Sequence, residues 1–270
     1  MISFPNGKIN LGLNVTSKRA DGYHDIETVF FPVQIKDVVE VIQSSGFQFS
    51  TSGLTINGEV KNNLCIKAYN LLKEDFQSLP PVQIHLHKNI PMGAGLGGGS
   101  ANGAFMLKAL DTKFNLNLTE KQVLDYALQL GSDCPFFIIN KPCFAQGRGE
   151  ILEPIGLNLS GYKIVLVNPG IHVSTKEAFD GIAPAVPVES IKHIIQQPIE
   201  TWKEKLKNDF EQRVFQLHPE IKNIKEELYN KGAVYAAMTG TGSTVFGILE
   251  NKFEPNFSFP NNYTIHELVA

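Results

Sequence analysis

Five glycines fall between Gly93 and Gly99 in the segment PMGAGLGGGSA, Pro91 to Ala101, and a helical run follows at once. Glycine tolerates positive φ and lets the main chain come close to a ligand, so successive N–H groups can converge on an anion. A helix start adds free amide donors and the positive end of its dipole. The chemistry open to such a segment is the holding of a polyphosphate on main-chain amides, with Ser100 offering a hydroxyl to a phosphate or to a metal shell. A flexible turn without chemistry is the plain alternative. A Walker A loop is excluded, because no GK[ST] occurs anywhere in the chain. Gly93, Gly95 and Gly98 satisfy G-x-G-x-x-G, yet the strand before them is half polar and KNIPM intervenes. The stretch NLNLTE stands where an acidic strand end would be needed, so a dinucleotide site fails on context.

Phosphoryl transfer to a hydroxyl also needs a carboxylate to take or orient the proton and a cation for the transferring group. Lys8 lies in KINLGLNV, a strand with no other charge, and reads either as that cation or as an edge-strand lysine in solvent. Asp133, in GSDCPFF, reads either as the carboxylate or as a helix N-cap. A second glycine cluster, MTGTGSTVFG, predicts a hairpin whose Gly240, Thr241 and Gly242 could cover phosphates or substrate. Tyr23 and His24, after the Asp-Gly turn in RADGYHDIETVF, are either surface packing or a stacking ring with a hydrogen-bonding partner for a planar base. His85 and His87 share one strand face, and with no third ligand near they read as exposed strand histidines rather than a metal site.

The elements that must position these groups alternate in type. Strands are predicted at Lys8–Val15, Ile26–Val33, Val38–Gln43 and Val82–His87, β-branched and bounded by turn residues. In the last, Val82, Ile84 and Leu86 alternate with polar neighbours, which predicts one wet face in an antiparallel or mixed sheet. Helices are predicted from about Asn63 to Asp75 and from Ser100, the latter with Ala104, Leu107 and Leu110 on one face. Thr119 and Gln122 form a capping box for a third, with Val123, Leu124, Ala127 and Leu128 as its buried stripe and Gly131 as its stop. Strand Tyr162–Val167, helix Pro219–Lys231, strands Ala233–Met238 and Thr244–Leu249 and the closing Tyr263–Val269 predict a second α+β layer domain. The boundary is expected within Glu153–Gly161, giving domains 1–155 and 156–270.

Composition bounds the partners. In 270 residues, 43% are hydrophobic and 19% charged, as in a well-packed globule. A formal net charge of −3 gives no general pull toward nucleic acid or anionic membrane, so an anionic ligand must be held by local backbone and a few placed cations. Cys65, Cys134 and Cys143 are too few and scattered for a disulfide framework or a zinc ligand set. No leader pattern or membrane-length apolar run occurs, which predicts a cytoplasmic protein whose fold begins almost at Met1.

The blocks KINLGLNV, PMGAGLGGGSA and MTGTGSTVFG, in this order and at these spacings, resemble the three motifs of the GHMP kinase superfamily. With RADGYHDIETVF, GSDCPFF and AQGRGE, the resemblance spans essentially the whole chain. It narrows to the member that phosphorylates the 2-hydroxyl of a cytidine diphosphate-linked methylerythritol with ATP, in non-mevalonate isoprenoid precursor biosynthesis. It implies an α+β two-domain fold, the first domain like ribosomal protein S5 domain 2 and the second ferredoxin-like. It implies Lys8 and Asp133 as the catalytic pair, with Asp133 accepting the proton. Pro91, Met92, Gly93, Ala94, Gly95, Leu96, Gly97, Gly98, Gly99, Ser100 and Ala101 match the ATP loop, and Asn63 and Leu64 match residues near the adenosine. Asn10, Tyr23 and His24 match positions that hold the cytidine diphosphate moiety, and Phe179 fits the second aromatic of a cytosine sandwich. Mg²⁺ is implied with ATP, without assigned protein ligands, and the protein is expected to be a monomer or weak homodimer. Ala101 replaces a serine common in relatives, and Thr239 and Thr241 stand where serines are common; these changes leave the activity expectation intact. The rivals are a homoserine, mevalonate or sugar kinase of the same superfamily, disfavoured by DGYH, and a non-catalytic nucleotide sensor, disfavoured by the retention of Lys8 and Asp133.

Overall fold

A computed structural model describes residues 1–269. In chain order the strands are β1 (Ile2–Ser3), β2 (Asn6–Lys18), β3 (His24–Lys36), β4 (Val38–Gln43), β5 (Gln48–Gly53), β6 (Val82–Lys88), β7 (Cys143–Gln146), β8 (Ile151–Pro154), β9 (Tyr162–Asn168), β10 (Tyr235–Met238), β11 (Val245–Glu250) and β12 (Thr264–Val269). The helices are α1 (Leu64–Asp75), α2 (Gly98–Phe114), α3 (Glu120–Leu130), α4 (Cys134–Ile139), α5 (Thr175–Phe179), α6 (Ile191–Ile194), α7 (Trp202–Lys205), α8 (Phe210–Leu217) and α9 (Pro219–Asn230). The chain folds as two compact units, each made of several chain segments.

The first unit comprises Met1–Gly7, Ile35–Met92 and Gly97–Lys141. Its sheet runs β1-β4-β6-β5, antiparallel except for the parallel β5–β6 pair. The alternation read in β6 holds: Val82, Ile84 and Leu86 are buried, and His87 is exposed. The α2 helix packs against α1, α3, α4 and β4, and is buried nearly all round by small residues. A Cβ built on Gly103 would fall 2.9 Å from Leu64 Cβ, which shows how closely α1 and α2 approach. The capping box of α3 forms as predicted, but its stripe is narrower than expected. Val123 and Ala127 are buried, whereas Leu128 is 40% exposed. This helix meets α1, α2 and α4 along one edge, and Leu128 lies about a quarter-turn past that edge.

The second unit comprises Lys8–Gln34, Gly93–Leu96 and the chain from Pro142 onward. One sheet runs β2-β3-β7-β8 and another β10-β11-β9-β12, the latter wholly antiparallel. Six of the seven residues of β9 are buried, as a central strand requires. Ile221, Ile224 and Leu228 of α9 and Phe210 and Val214 of α8 close a core with Val165, Val167, Met238, Val245 and Leu249. Leu13 and Val15 of β2 join that core. The chain after α7 is laced to β2: Leu13 N–H donates to Lys207 O at 2.8 Å, and Val15 N–H to Asp209 Oδ2 at 2.7 Å. Among the described residues no helix is long and apolar enough to cross a membrane.

Candidate active site

The glycine segment is built by alternation. Gly93, Gly95 and Gly97 have φ of 63°, 76° and 67°, while the Ala94 and Leu96 side chains between them are buried anchors. Helix α2 starts at Gly98, two residues before the Ser100 expected from the sequence, with Gly97 as its left-handed N-cap. Two glycines in the first turn hide a helix start from propensity, because glycine is about 1 kcal/mol poorer than alanine in a helix. Gly98 cannot carry a side chain where it lies: a Cβ there would fall 2.8 Å from Lys88 Nζ and 2.9 Å from Ile90 Cγ2. Around a Cβ on Gly99 there is open space. None of the residues in the first turn of α2 is acidic.

In the second unit the loop lies against the other glycine cluster. A Cβ on Gly95 would fall 2.0 Å from Thr239 O, and one on Gly240 would fall 3.3 Å from Gly95 Cα. Backbone meets backbone here. The Thr239 hydroxyl accepts from Asn10 N–H at 3.0 Å and donates to Gly95 O at 3.0 Å. Asn208 Nδ2 donates to Met238 O at 2.7 Å and to Gly240 O at 2.8 Å, bracing the turn from below. The segment is the expected β10–β11 hairpin, with Gly240 and Gly242 buried and Thr241 half-buried.

Lys8 is 4% exposed, so it is no edge-strand lysine in solvent. Its ammonium donates to Asn10 Oδ1 at 2.7 Å and to Gly95 O at 3.2 Å, and stands 5.0 Å from the Phe30 ring centroid. Its backbone N–H donates to Leu96 O at 3.0 Å. Lysine and loop are thus one hydrogen-bonded piece. Asn10 is buried too; its Nδ2 donates to Thr28 Oγ1 at 3.0 Å, which fixes the oxygen that receives Lys8.

In the first unit Asp133 occupies the N-cap position of α4 with φ −82° and ψ −16°, but its carboxylate makes no capping hydrogen bond. The next residue, Cys134, is buried beside the Ser100 side chain, and burial pushes its thiol up to about 12. This brings the Asp133 turn to the first turn of α2. Asn63 caps α1, accepting from Cys65 N–H at 2.9 Å, and Leu64 packs beneath Gly103.

His24 stacks on Phe179 at 4.6 Å between ring centroids and 20° between planes, and Phe179 meets Phe210 edge-on at 4.7 Å. Tyr23 is 56% exposed, with the Arg148 guanidinium 5.0 Å from its ring centroid. The turn before it is pinned by Arg19, which pairs with Asp21 at 3.2 Å and Asp25 at 3.0 Å. The backbone N–H of Tyr23 holds the Asp21 carboxyl below its ordinary range, and the Ser17 hydroxyl does the same for Asp25, Arg19 adding to both. His85 and His87 are hydrogen-bonded to the Ser50 and Ser52 hydroxyls along the β5–β6 pair.

Sequence reasoning passed over Asp37, Lys88 and Asn102, which lie together under the start of α2. The signal was present in β6: two residues beyond Leu86, on the same buried face, stands Lys88. It also passed over His172, whose ring would lie 3.1 Å from a Cβ on Gly93.

Family models described as GHMP kinases N terminal domain and GHMP kinases C terminal match residues 63–141 and 190–257. A 4-diphosphocytidyl-2-C-methyl-D-erythritol kinase of Bacteroides fragilis is 55% identical over 252 residues, covering 92% of this chain and 92% of that one. A kinase of the same name from Azobacteroides pseudotrichonymphae is 50% identical over 270 residues, the full length of both chains. Among solved structures, a 4-(cytidine 5'-diphospho)-2C-methyl-D-erythritol kinase gives a TM-score of 0.79 at 32% identity, over 92% of this chain and 89% of that one. The mevalonate kinase of Methanococcus jannaschii, at 14% identity and a TM-score of 0.68 over 99% and 97% of the two chains, shares the fold. On these matches the chain belongs to the GHMP kinase family and has its α+β fold.

Proposed function

We infer that this chain transfers the γ-phosphoryl group of ATP to the 2-hydroxyl of 4-diphosphocytidyl-2-C-methyl-D-erythritol, a step of non-mevalonate isoprenoid precursor biosynthesis. The observation that carries the reading is Lys8: a buried ammonium, 3.2 Å from the Gly95 carbonyl, built into a glycine loop that feeds a helix start. Relatives half-identical over the length of the chain bear the name of that kinase.

In the transfer the substrate oxygen attacks the γ-phosphorus, the bond to the β-phosphate oxygen breaks, and ADP leaves. Asp133 takes the hydroxyl proton. Loop amides and the first turn of α2 hold the phosphates, and Lys8 offsets the charge that spreads over the transferring group. The residues present fit ATP delivered as its magnesium complex, since a hard oxygen-seeking ion can keep phosphate and water ligands. Among the described residues no three His, Cys, Asp or Glu side chains form a metal cluster, and the Ser100 hydroxyl, in the first turn of α2, is the group that would reach the ion's shell. When bound, the ion neutralises phosphate charge. Tyr23, His24 and Phe179 take the cytosine, with His24 already stacked on Phe179.

The test is ADP release measured with the cytidyl alcohol, homoserine and mevalonate, and phosphorus NMR to locate the new phosphate. A site built around the cytidine diphosphate should disfavour the two small alcohols by about four orders of magnitude in kcat/KM. Equal rates on homoserine or mevalonate would remove the substrate assignment and keep only the kinase.

A further inference from the structure

Beneath the start of α2 lies an ion pair that the transfer chemistry does not use. Asp37 is the single residue between β3 and β4 and is 0% exposed. Its Oδ1 accepts from Asn89 N–H at 2.7 Å and Ile90 N–H at 2.8 Å; its Oδ2 accepts from Asn102 Nδ2 at 2.8 Å and from the Lys88 ammonium. Lys88 is 1% exposed, with its ammonium against Gly98. One carboxylate thus ties the end of β6, which enters the glycine loop, to the second turn of α2, which leaves it.

As a device for stability alone this arrangement is poor. Each buried ion loses several kcal/mol of hydration, and apolar replacements of such pairs are often as stable or more so. The ammonium also stands at the end of α2 where the helix dipole is already positive, which disfavours a cation. Burial pushes the Lys88 pKa down, in keeping with an uncomfortable charge. A triphosphate at the helix start reverses the argument. Its negative charge would meet the amides of the first turn with an ammonium directly behind them. The carboxylate reaches Asn102, one turn further along the helix, so the pair turns its positive end toward the phosphates.

We propose that Lys88 and Asp37 are positioning residues for ATP: the pair fixes the height of the first turn of α2 and strengthens the positive field at its amides. This rests on the kinase reading of the loop. Neither side chain touches the nucleotide; both act through Gly98 and the residues that follow it.

The test uses the full chain with Lys88→Met and with the double variant Lys88→Met/Asp37→Asn, read by Tm and by the KM of ATP and of the cytidyl alcohol. The single variant leaves a buried carboxylate without its cation and should lose much Tm. The double variant removes both charges and should recover most of it. In the double variant the KM for ATP is expected to stay about tenfold or more above wild type, within the reach of a partly buried charge at a helix end. The KM for the alcohol should stay within about twofold. If the single variant does not fold, the double variant carries the test. Recovery of Tm together with a wild-type KM for ATP overturns the proposal, because the pair then serves only the fold. An equal rise in both KM values overturns it as well, as general loosening. A wild-type chain that neither binds nor turns over ATP defeats the kinase reading itself, a result distinct from either.

Discussion

At the scale of single residues, Lys8 shows how a charge is kept buried by hydrogen-bonding its protons. Two go to Asn10 Oδ1 and Gly95 O, and the Phe30 ring face lies alongside. A lysine held this way has little rotamer freedom left, so its position is settled before ATP arrives. Asp133 is the complementary case, a carboxylate at a helix N-cap position that makes no capping bond. Asp133→Asn keeps the size and removes the proton acceptor. We expect kcat to fall about a hundredfold or more with the KM for ATP little changed, measured as steady-state ADP release. A variant turning over near the wild-type rate would strip Asp133 of the role. The Tyr23 ring, 56% open to solvent, adds little to the core and is available for the proposed stacking on a base. Tyr23→Ala should raise the KM for the cytidyl alcohol by a stacking loss of about 1–3 kcal/mol and leave that for ATP alone. Matching rises for both substrates would dismiss the stacking role.

At the scale of elements, the glycine loop separates positions where a side chain cannot fit from positions where one can. Gly95 sits where a Cβ would overlap the Thr239 carbonyl, with φ of 76°, so Gly95→Ala should lower Tm and ATP affinity together. Gly99 is helical with open space around its Cβ position. Gly99→Ala should therefore stabilise the free protein by about 0.4–1 kcal/mol, since alanine loses less chain entropy, while raising the KM for ATP. Thermal melts with and without ATP check both signs. A Gly99→Ala protein with unaltered ATP affinity would mean that the phosphates do not approach this turn. The same elements show what the sequence made legible. The capping box announced α3 and the alternation announced β6, because both signals are local. Burial of Lys8 was not legible, since one strand does not say what covers it; that cover is Gly95, far along the chain. Lys88 could have been found by carrying the β6 alternation one step further, past His87. Thr239 read as one hydroxyl in a hairpin, and only the fold sets it between Asn10 and Gly95.

At the scale of the whole molecule, a chain with net charge −3 has no general pull on an anion; in the proposed reading a triphosphate is held by ordered backbone and a few placed cations, which ties binding to folding. The three cysteines give a way to read that tie. All are free and wholly buried, Cys65 and Cys134 in the first unit and Cys143 in the second. Burial pushes the Cys65 and Cys134 thiols up to about 12 and Cys143 up to about 11, so the native protein presents almost no thiolate at pH 8. Alkylation requires the thiolate and must therefore pass through an opened state, at a rate set by how rarely each region opens. ATP at a hundred times its dissociation constant adds about 2.7 kcal/mol to any opening that releases it. Iodoacetamide labelling followed by mass spectrometry should thus slow about a hundredfold at Cys65 and Cys134, which share a unit with the first turn of α2. Cys143 shares its unit with Lys8 and Gly93–Leu96, and should slow likewise if those residues hold the nucleotide. Were Cys143 to react at the same rate with and without ATP while the other two were protected, Lys8 and Gly93–Leu96 would lose their place in the grip, and the nucleotide would rest on α2 alone.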